Sequence, residues 1–219
     1  MDHVHGDFIT SFFRNQTLIM LKIPYTIILA SKSPRRQELL KGLDIEFRIV
    51  TKETDEEFPS SLKAADIALY LSQKKSHAFS DNELPENYLL ISADTIVWIN
   101  DHVMNKPQDR AEAVSMLKEL SGQCHKVFTG ITIRTKSNEV SFVGESNVWF
   151  SQLTDEEIAY YIDTYCPYDK AGSYGVQEWI GYCAIERIEG SQFNVMGLPV
   201  QQLYKALKDN FSTNQNQAV

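Results

Sequence analysis

The chain has 219 residues, 43% of them hydrophobic and 23% charged, the composition of an ordinary globular protein long enough to bury a core as one domain or two small lobes. A formal net charge of −8 excludes broad electrostatic binding to nucleic acid or to an anionic membrane, so an anionic ligand has to be captured by a local basic pocket. Cys124, Cys166 and Cys183 are odd in number and lack CxxC or Cys/His spacing, which predicts reduced thiols and a cytoplasmic setting rather than disulfides or structural zinc.

No apolar run reaches the length of a membrane span, and Met1 to Asn15 lacks the basic start and apolar core of a signal peptide. Residues 1–22 are expected to form a loose extension, 23–210 a single domain, and 211–219 a frayed tail. The first expected strand is Tyr25 to Leu29, a short apolar run suited to burial on both faces. Ser33 as N-cap and Pro34 at the first helical position then open a helix that buries Leu39, Leu40 and Leu43 and ends near Gly42. A strand over Ile45 to Val50 and a helix over Leu62 to Phe79 follow, separated by the acidic run Glu53 to Glu57.

Tyr88 to Ile99 is apolar except for Ser92, Asp94 and Thr95, the pattern of a central strand with polar groups near its end, and Asn100-Asp101 reads as a turn. A helix from Asp109 to Leu120 stops at Gly122. Lys126 to Arg134 and Val140 to Phe150 form a hairpin, and Thr154-Asp-Glu-Glu157 is a capping box for a helix running to Tyr165. Beyond a stretch rich in glycine and aromatic residues, a strand over Tyr182 to Ile188 and a helix from Pro199 to Leu207 complete the expected order.

Arg35 and Arg36 fall in the first turn of a helix, where the macrodipole disfavours cations by roughly 0.3 to 1 kcal/mol each. With Ser31, Ser33 and the free N–H groups beside them, they make sense as a grip on phosphate oxygens; the competing reading is pairing with Glu38 or exposure to solvent. Asp94 lies in an apolar run where an unpartnered carboxylate is costly, so it needs a metal, a proton or a role as base, unless it accepts backbone hydrogen bonds at a strand end. Glu53, Asp55, Glu56 and Glu57 either offer oxygen ligands to Mg²⁺ or Mn²⁺ or form a solvated loop. Lys74, Lys75 and Lys106 can add charge to a triphosphate pocket or simply decorate the surface. His77, His102 and His125 show no metal or nucleophile spacing, and no GxxxxGK[ST] or GxGxxG loop occurs.

The chain carries Ala30-Ser-Lys-Ser-Pro-Arg-Arg36 with Glu38-Leu-Leu40, Ala93-Asp-Thr95, Lys106-Pro107, Leu120-Ser-Gly122 with His125 and Thr129-Gly130, Asp169-Lys-Ala-Gly172 with Tyr174-Gly-Val-Gln177, and Asn194-Val-Met-Gly-Leu-Pro199. In this order the motifs resemble the Maf family of nucleoside triphosphate pyrophosphatases over almost the whole chain after Met20. The resemblance implies an α/β fold similar to inosine triphosphatase, an extended mixed β-sheet with flanking helices and two lobes around a cleft. It implies that Asp94 is catalytic, that Ser31, Arg35, Arg36, Lys75 and Lys106 bind substrate, and that Glu56 joins Asp94 at a divalent metal cation, Mg²⁺ or Mn²⁺. Ala-Asp-Thr at Asp94 and glutamine at Gln177 are similar to the branch acting on dTTP and UTP, with Arg35, Thr95 and Gln177 as the selecting positions. The chain departs from the common pattern at Glu178, where many relatives carry glycine.

The implied reaction is hydrolysis of the triphosphate to monophosphate and diphosphate. The expected partner is the nucleotide, with a homodimer as the assembly and neither nucleic acid nor membrane involved. Competing readings are a nucleotide-binding regulator of cell division without turnover, a 7-methyl-GTP-type pyrophosphatase, and a phosphatase of the terminal phosphate.

Overall fold

The computed structural model describes residues 21–213. Its centre is strand β3 (Tyr88–Ile99), with the bounds its sequence pattern predicts. Along one edge runs β5 (Cys124–Arg134), antiparallel to it from Leu90↔Arg134 to Trp98↔Lys126. The opposite edge is shared: β1 (Thr26–Ala30) pairs parallel as far as Ser92, and β4 (His102–Met104) pairs antiparallel only from Val97. Between them, Ala93 to Ile96 have a strand neighbour on one side only among the described residues.

The sheet extends outward from β1 to β2 (Arg48–Val50), and from β5 through β6 (Glu139–Phe150) to β7 (Ile185–Gly190), giving the order β2-β1-β3-β5-β6-β7 with β4 beside β3. The sheet is therefore mixed, as expected. β5 and β6 form the expected hairpin, closed where Thr135 N–H donates to the Asn138 carbonyl at 2.8 Å.

Helix α1 (Pro34–Lys41) starts as its sequence dictates, with Ser33 Oγ accepting from Arg36 N–H and Pro34 at the first position. Helix α2 (Ala65–His77) lies on the sheet face to which Asp94 points. Gly130 faces Asp94 across the β3–β5 ladder and shares that face; a Cβ there would sit 2.1 Å from the Ala68 carbonyl oxygen, so only glycine lets α2 approach this closely. Helices α3 (Arg110–Leu120) and α4 (Asp155–Tyr165) cover the far end of β3, α4 opening with the reciprocal bonds of the Thr154/Glu157 capping box.

Two main core clusters result. One joins Val97, Ile99, Leu117, Ile158 and Ile162; the other joins Leu29, Leu40, Ile91, Leu203 and Leu207. Each fully buried aliphatic side chain contributes about 1.5–3 kcal/mol of transfer free energy.

Several expectations are corrected. The expected strand over Tyr182 to Ile188 begins as helix α5 (Trp179–Cys183), because Tyr182 is 82% exposed while Ile180 is the residue taken into the core. The strand over Ile45 to Val50 pairs only from Arg48, since Ile45 and Phe47 pack against the core instead of continuing the ladder. A short helix α6 (Gln192–Met196), capped by Ser191, precedes the last helix α7 (Val200–Phe211), which outruns the expected end at Leu207 because Phe211 is buried.

The N-terminal extension expected over residues 1–22 lies outside the described residues up to residue 20. Leu21 is buried and the Lys22 carbonyl accepts from Thr213 N–H at 3.0 Å, so the packed body begins before residue 23. Of the tail expected over 211–219, residues 214–219 lie outside the described residues. The three cysteines are free and exposed. Among the described residues no helix is long and apolar enough to cross a membrane.

Candidate active site

The interruption on the open edge of β3 is the floor of a cleft of about 660 Å³. Alternation along β3 sends Asp94 to the α2 face and Thr95 to the opposite face, so the cleft wraps around a bare strand edge and draws side chains from both sides of the sheet. Ser31, Arg35, Arg36, Glu56, Lys75, Asp94, Thr95, Lys106 and Gln177, all singled out from sequence, line this one cleft.

On the α2 face, the Asp94 side chain is only 7% exposed, and its Oδ1 is contacted by Lys75 Nζ. The same ammonium lies 3.2 Å from Glu56 Oε1, and Lys106 Nζ closes on both Glu56 oxygens at 2.7 and 3.0 Å. The result is an alternating chain, Asp94–Lys75–Glu56–Lys106. Burial alone would raise the Glu56 carboxyl; Lys106 and Lys75 outweigh it and hold the group below the usual carboxylate range. The adjacent Lys74 turns away to Asp55 and the Glu57 carbonyl, and does not line the cleft.

On the other face, Arg36 is fixed by its own donors. Nε donates to the Gly197 carbonyl at 2.8 Å and one terminal nitrogen donates to Thr95 Oγ1 at 2.9 Å. Thr129 Oγ1 donates to the Asn194 carbonyl, so its bond with Thr95 uses the Thr95 proton, which leaves the Thr95 oxygen to accept from Arg36. Gly197 adopts φ 111, a conformation glycine permits, and thereby turns its carbonyl toward Arg36. Burial lowers the Arg36 pKa from its ordinary value, opposed by the Asp94 charge, and the guanidinium remains a cation. Neither arginine pairs with Glu38, which lies instead beside Lys41; Arg35 reaches Asp169 Oδ2 at 3.4 Å across the cleft mouth.

Part of the lining is neutral, with Val127, Tyr174, Met196 and Gln177, whose Oε1 is buried and has no protein partner among the described residues. Tyr174 is held from behind by His125 Nε2 at 2.8 Å, and burial pushes the His125 pKa down to about 3, keeping the ring neutral. His125 is thus a core histidine bonded through one ring nitrogen only, its buried Nδ1 having no protein partner among the described residues.

Sequence reasoning quoted Asp169-Lys170 as a motif without giving either residue a task. Lys170 is buried in the cleft wall between Asp169 at 2.7 Å and Glu178 at 3.1 Å. The only signal that could have found it is a lysine in a glycine- and aromatic-rich stretch with acids on both sides in sequence.

The arrangement can receive an elongated anion with a neutral head. Cationic groups cluster near a shielded carboxylate, and the head end presents an amide and apolar walls. No trio of histidine, cysteine or acidic side chains among the described residues forms a ready-made metal cage. Asp94 and Glu56, which share Lys75 as neighbour, are hard oxygen donors of the kind Mg²⁺ or Mn²⁺ takes alongside phosphate oxygens.

The family described as Maf-like protein matches residues 26–210. A dTTP/UTP pyrophosphatase of Parabacteroides distasonis is 54% identical over 185 residues, covering 84% of this chain and 95% of that one. Proteins of the same description from Porphyromonas gingivalis W83 (50% over 192 residues; 87% and 96%) and Flavobacterium psychrophilum (47% over 178 residues; 81% and 91%) are also similar. The chain belongs to the Maf family.

Proposed function

We propose that this protein hydrolyses dTTP and UTP to the nucleoside monophosphate and diphosphate. The observation that carries the reading is the shielded Asp94 at the bare edge of β3, ringed by Arg36, Lys75 and Lys106, in a chain about half identical to dTTP/UTP pyrophosphatases along nearly its full length.

Lys75 engages Asp94 Oδ1, and Oδ2 has no protein donor among the described residues, so Oδ2 accepts the proton of a water held beside it. The water oxygen attacks the α-phosphorus, the bond from that phosphorus to the α–β bridging oxygen breaks, and diphosphate leaves. Ser31, Arg35, Arg36, Lys75 and Lys106 bind the phosphates and stabilise charge on their oxygens, which dominates when positioning and electrostatics supply most of the catalysis. Arg36 is the best prepared of these, since Thr95 and Gly197 fix it before substrate arrives. Asp94 and Glu56 would hold Mg²⁺ or Mn²⁺. Such an ion supplies charge neutralisation and Lewis acidity at the phosphoryl oxygens.

Gln177 lies at the neutral end, where its amide reads the base edge. We place the enzyme in the cytoplasm, in keeping with its exposed free thiols. As an assembly we propose a homodimer, for which exposed Tyr182 and Phe193 offer apolar surface near the outer strand β7; sedimentation reads it.

The deciding experiment incubates the protein with dTTP, UTP and 7-methyl-GTP in Mg²⁺ or Mn²⁺ and identifies the products. Monophosphate and diphosphate from dTTP and UTP are expected. Orthophosphate would indicate attack on the terminal phosphate, and tight binding without products would indicate a regulator.

A further inference from the structure

Gln177 lines the cleft with an amide whose oxygen is buried and has no protein partner among the described residues, and an amide selects a base only if its backbone cannot swing. The residue after it is Glu178, whose side chain is 19% exposed and points away from solvent into the body of the protein. Its carboxylate accepts from the Tyr161 hydroxyl of α4 through Oε2 and pairs with Lys170 through Oε1 at 3.1 Å. Tyr161, fully buried, accepts in turn from Gly175 N–H at 3.0 Å. The ring of bonds thus closes on both sides of Val176-Gln177. Lys170 is 8% exposed and also pairs with the largely exposed Asp169, which reaches Arg35 at the cleft mouth, so the buried lysine is linked to the phosphate-binding side of the site. An ion pair as shielded as Lys170–Glu178 is costly to keep unless its geometry serves something.

We propose that Glu178, with Lys170 and Tyr161, is a positioning residue for nucleotide selection: the three hold Gly175 to Gln177 so that the Gln177 amide meets the base. Glu178 touches no reacting atom. Its effect belongs to the recognition of the base and not to the grip on phosphate. The inference rests on the pyrophosphatase reading above.

The test is Glu178→Gln, which keeps the side-chain volume and the Tyr161 bond while removing the charge that fixes Lys170, together with Tyr161→Phe, which keeps the ring and cuts the links to Glu178 and Gly175. Steady-state hydrolysis of dTTP and UTP is measured with inorganic triphosphate as a competitive inhibitor lacking a base, and melting temperature is recorded. The expected result is a KM for dTTP and UTP raised about tenfold in each variant, with kcat and the inhibition constant of triphosphate changed less than about twofold. Unchanged KM in folded variants overturns the proposal. So does a joint fall of kcat, triphosphate binding and melting temperature, the pattern of a merely structural cluster. Wild-type protein run alongside separates the two claims: no diphosphate from wild type sinks the function, whereas normal wild-type turnover with unaltered variant KM sinks only the positioning role.

Discussion

Asp94 was legible in the sequence because a lone acid in an apolar run has to be accounted for, and Arg35 and Arg36 because cations in a first helical turn are out of place without an anion. Thr95 was legible as part of a motif, and its hydroxyl accepts from Arg36 and bonds Thr129, contacts no motif spells out. Lys170, Glu178 and Tyr161 were not read as a unit, since their bonds join positions 17 or 8 apart across a loop with no periodicity to predict its path. Replacing Asp94 by Asn keeps shape and removes the proton acceptor; kcat for dTTP is expected to fall roughly 10²–10⁴-fold, with KM shifted far less. Stopped-time assays of diphosphate on a variant with unchanged circular dichroism check this, and a rate near wild type removes Asp94 from the chemistry.

Among the elements, β3 and the capped helices α1 and α4 followed their sequence signals because local chemistry and tertiary burial agree there. β4 and α6 are too short to carry a period, and α5 shows an aromatic run that buries one residue and leaves another in water. The closeness of α2 to the sheet depends on Gly130. Gly130→Ala forces a Cβ toward the Ala68 carbonyl and must push outward the helix that delivers Lys75 to Asp94. We expect destabilisation of at least about 1–3 kcal/mol in urea unfolding together with a lower kcat. An alanine variant with wild-type midpoint and rate would show that α2 has room to spare.

For the whole molecule, composition and charge correctly pointed to a globular protein with a local cationic pocket, but strand register is not written in any single segment, and so the bare edge of β3 could not be foreseen. pH acts at this scale. His125 is held neutral with a pKa near 3 against about 6.5 in the unfolded chain, so its contribution is intact above pH 6.5 and is lost as pH falls, at about 1.4 kcal/mol per pH unit until the folded pKa is reached. Below about pH 4.5 the carboxylates of Glu56, Asp81 and Asp163, whose folded pKa values are depressed, add losses of the same sign. Urea midpoints should therefore decline between pH 6.5 and 4.5 in wild type, and His125→Gln should flatten that decline.

The ladder gap between β1 and β4 also leaves the alternate main-chain amides of Ala93 to Ile96 that point away from β5 with no strand among the described residues to pair them. A nucleotide lying along this edge would take the place of the absent strand segment, shielding peptide groups as well as side chains. In deuterated buffer these amides should exchange faster than those of Leu89 to Ile91 in the free protein. They should slow on binding a non-hydrolysable dTTP analogue, a footprint written in the backbone itself.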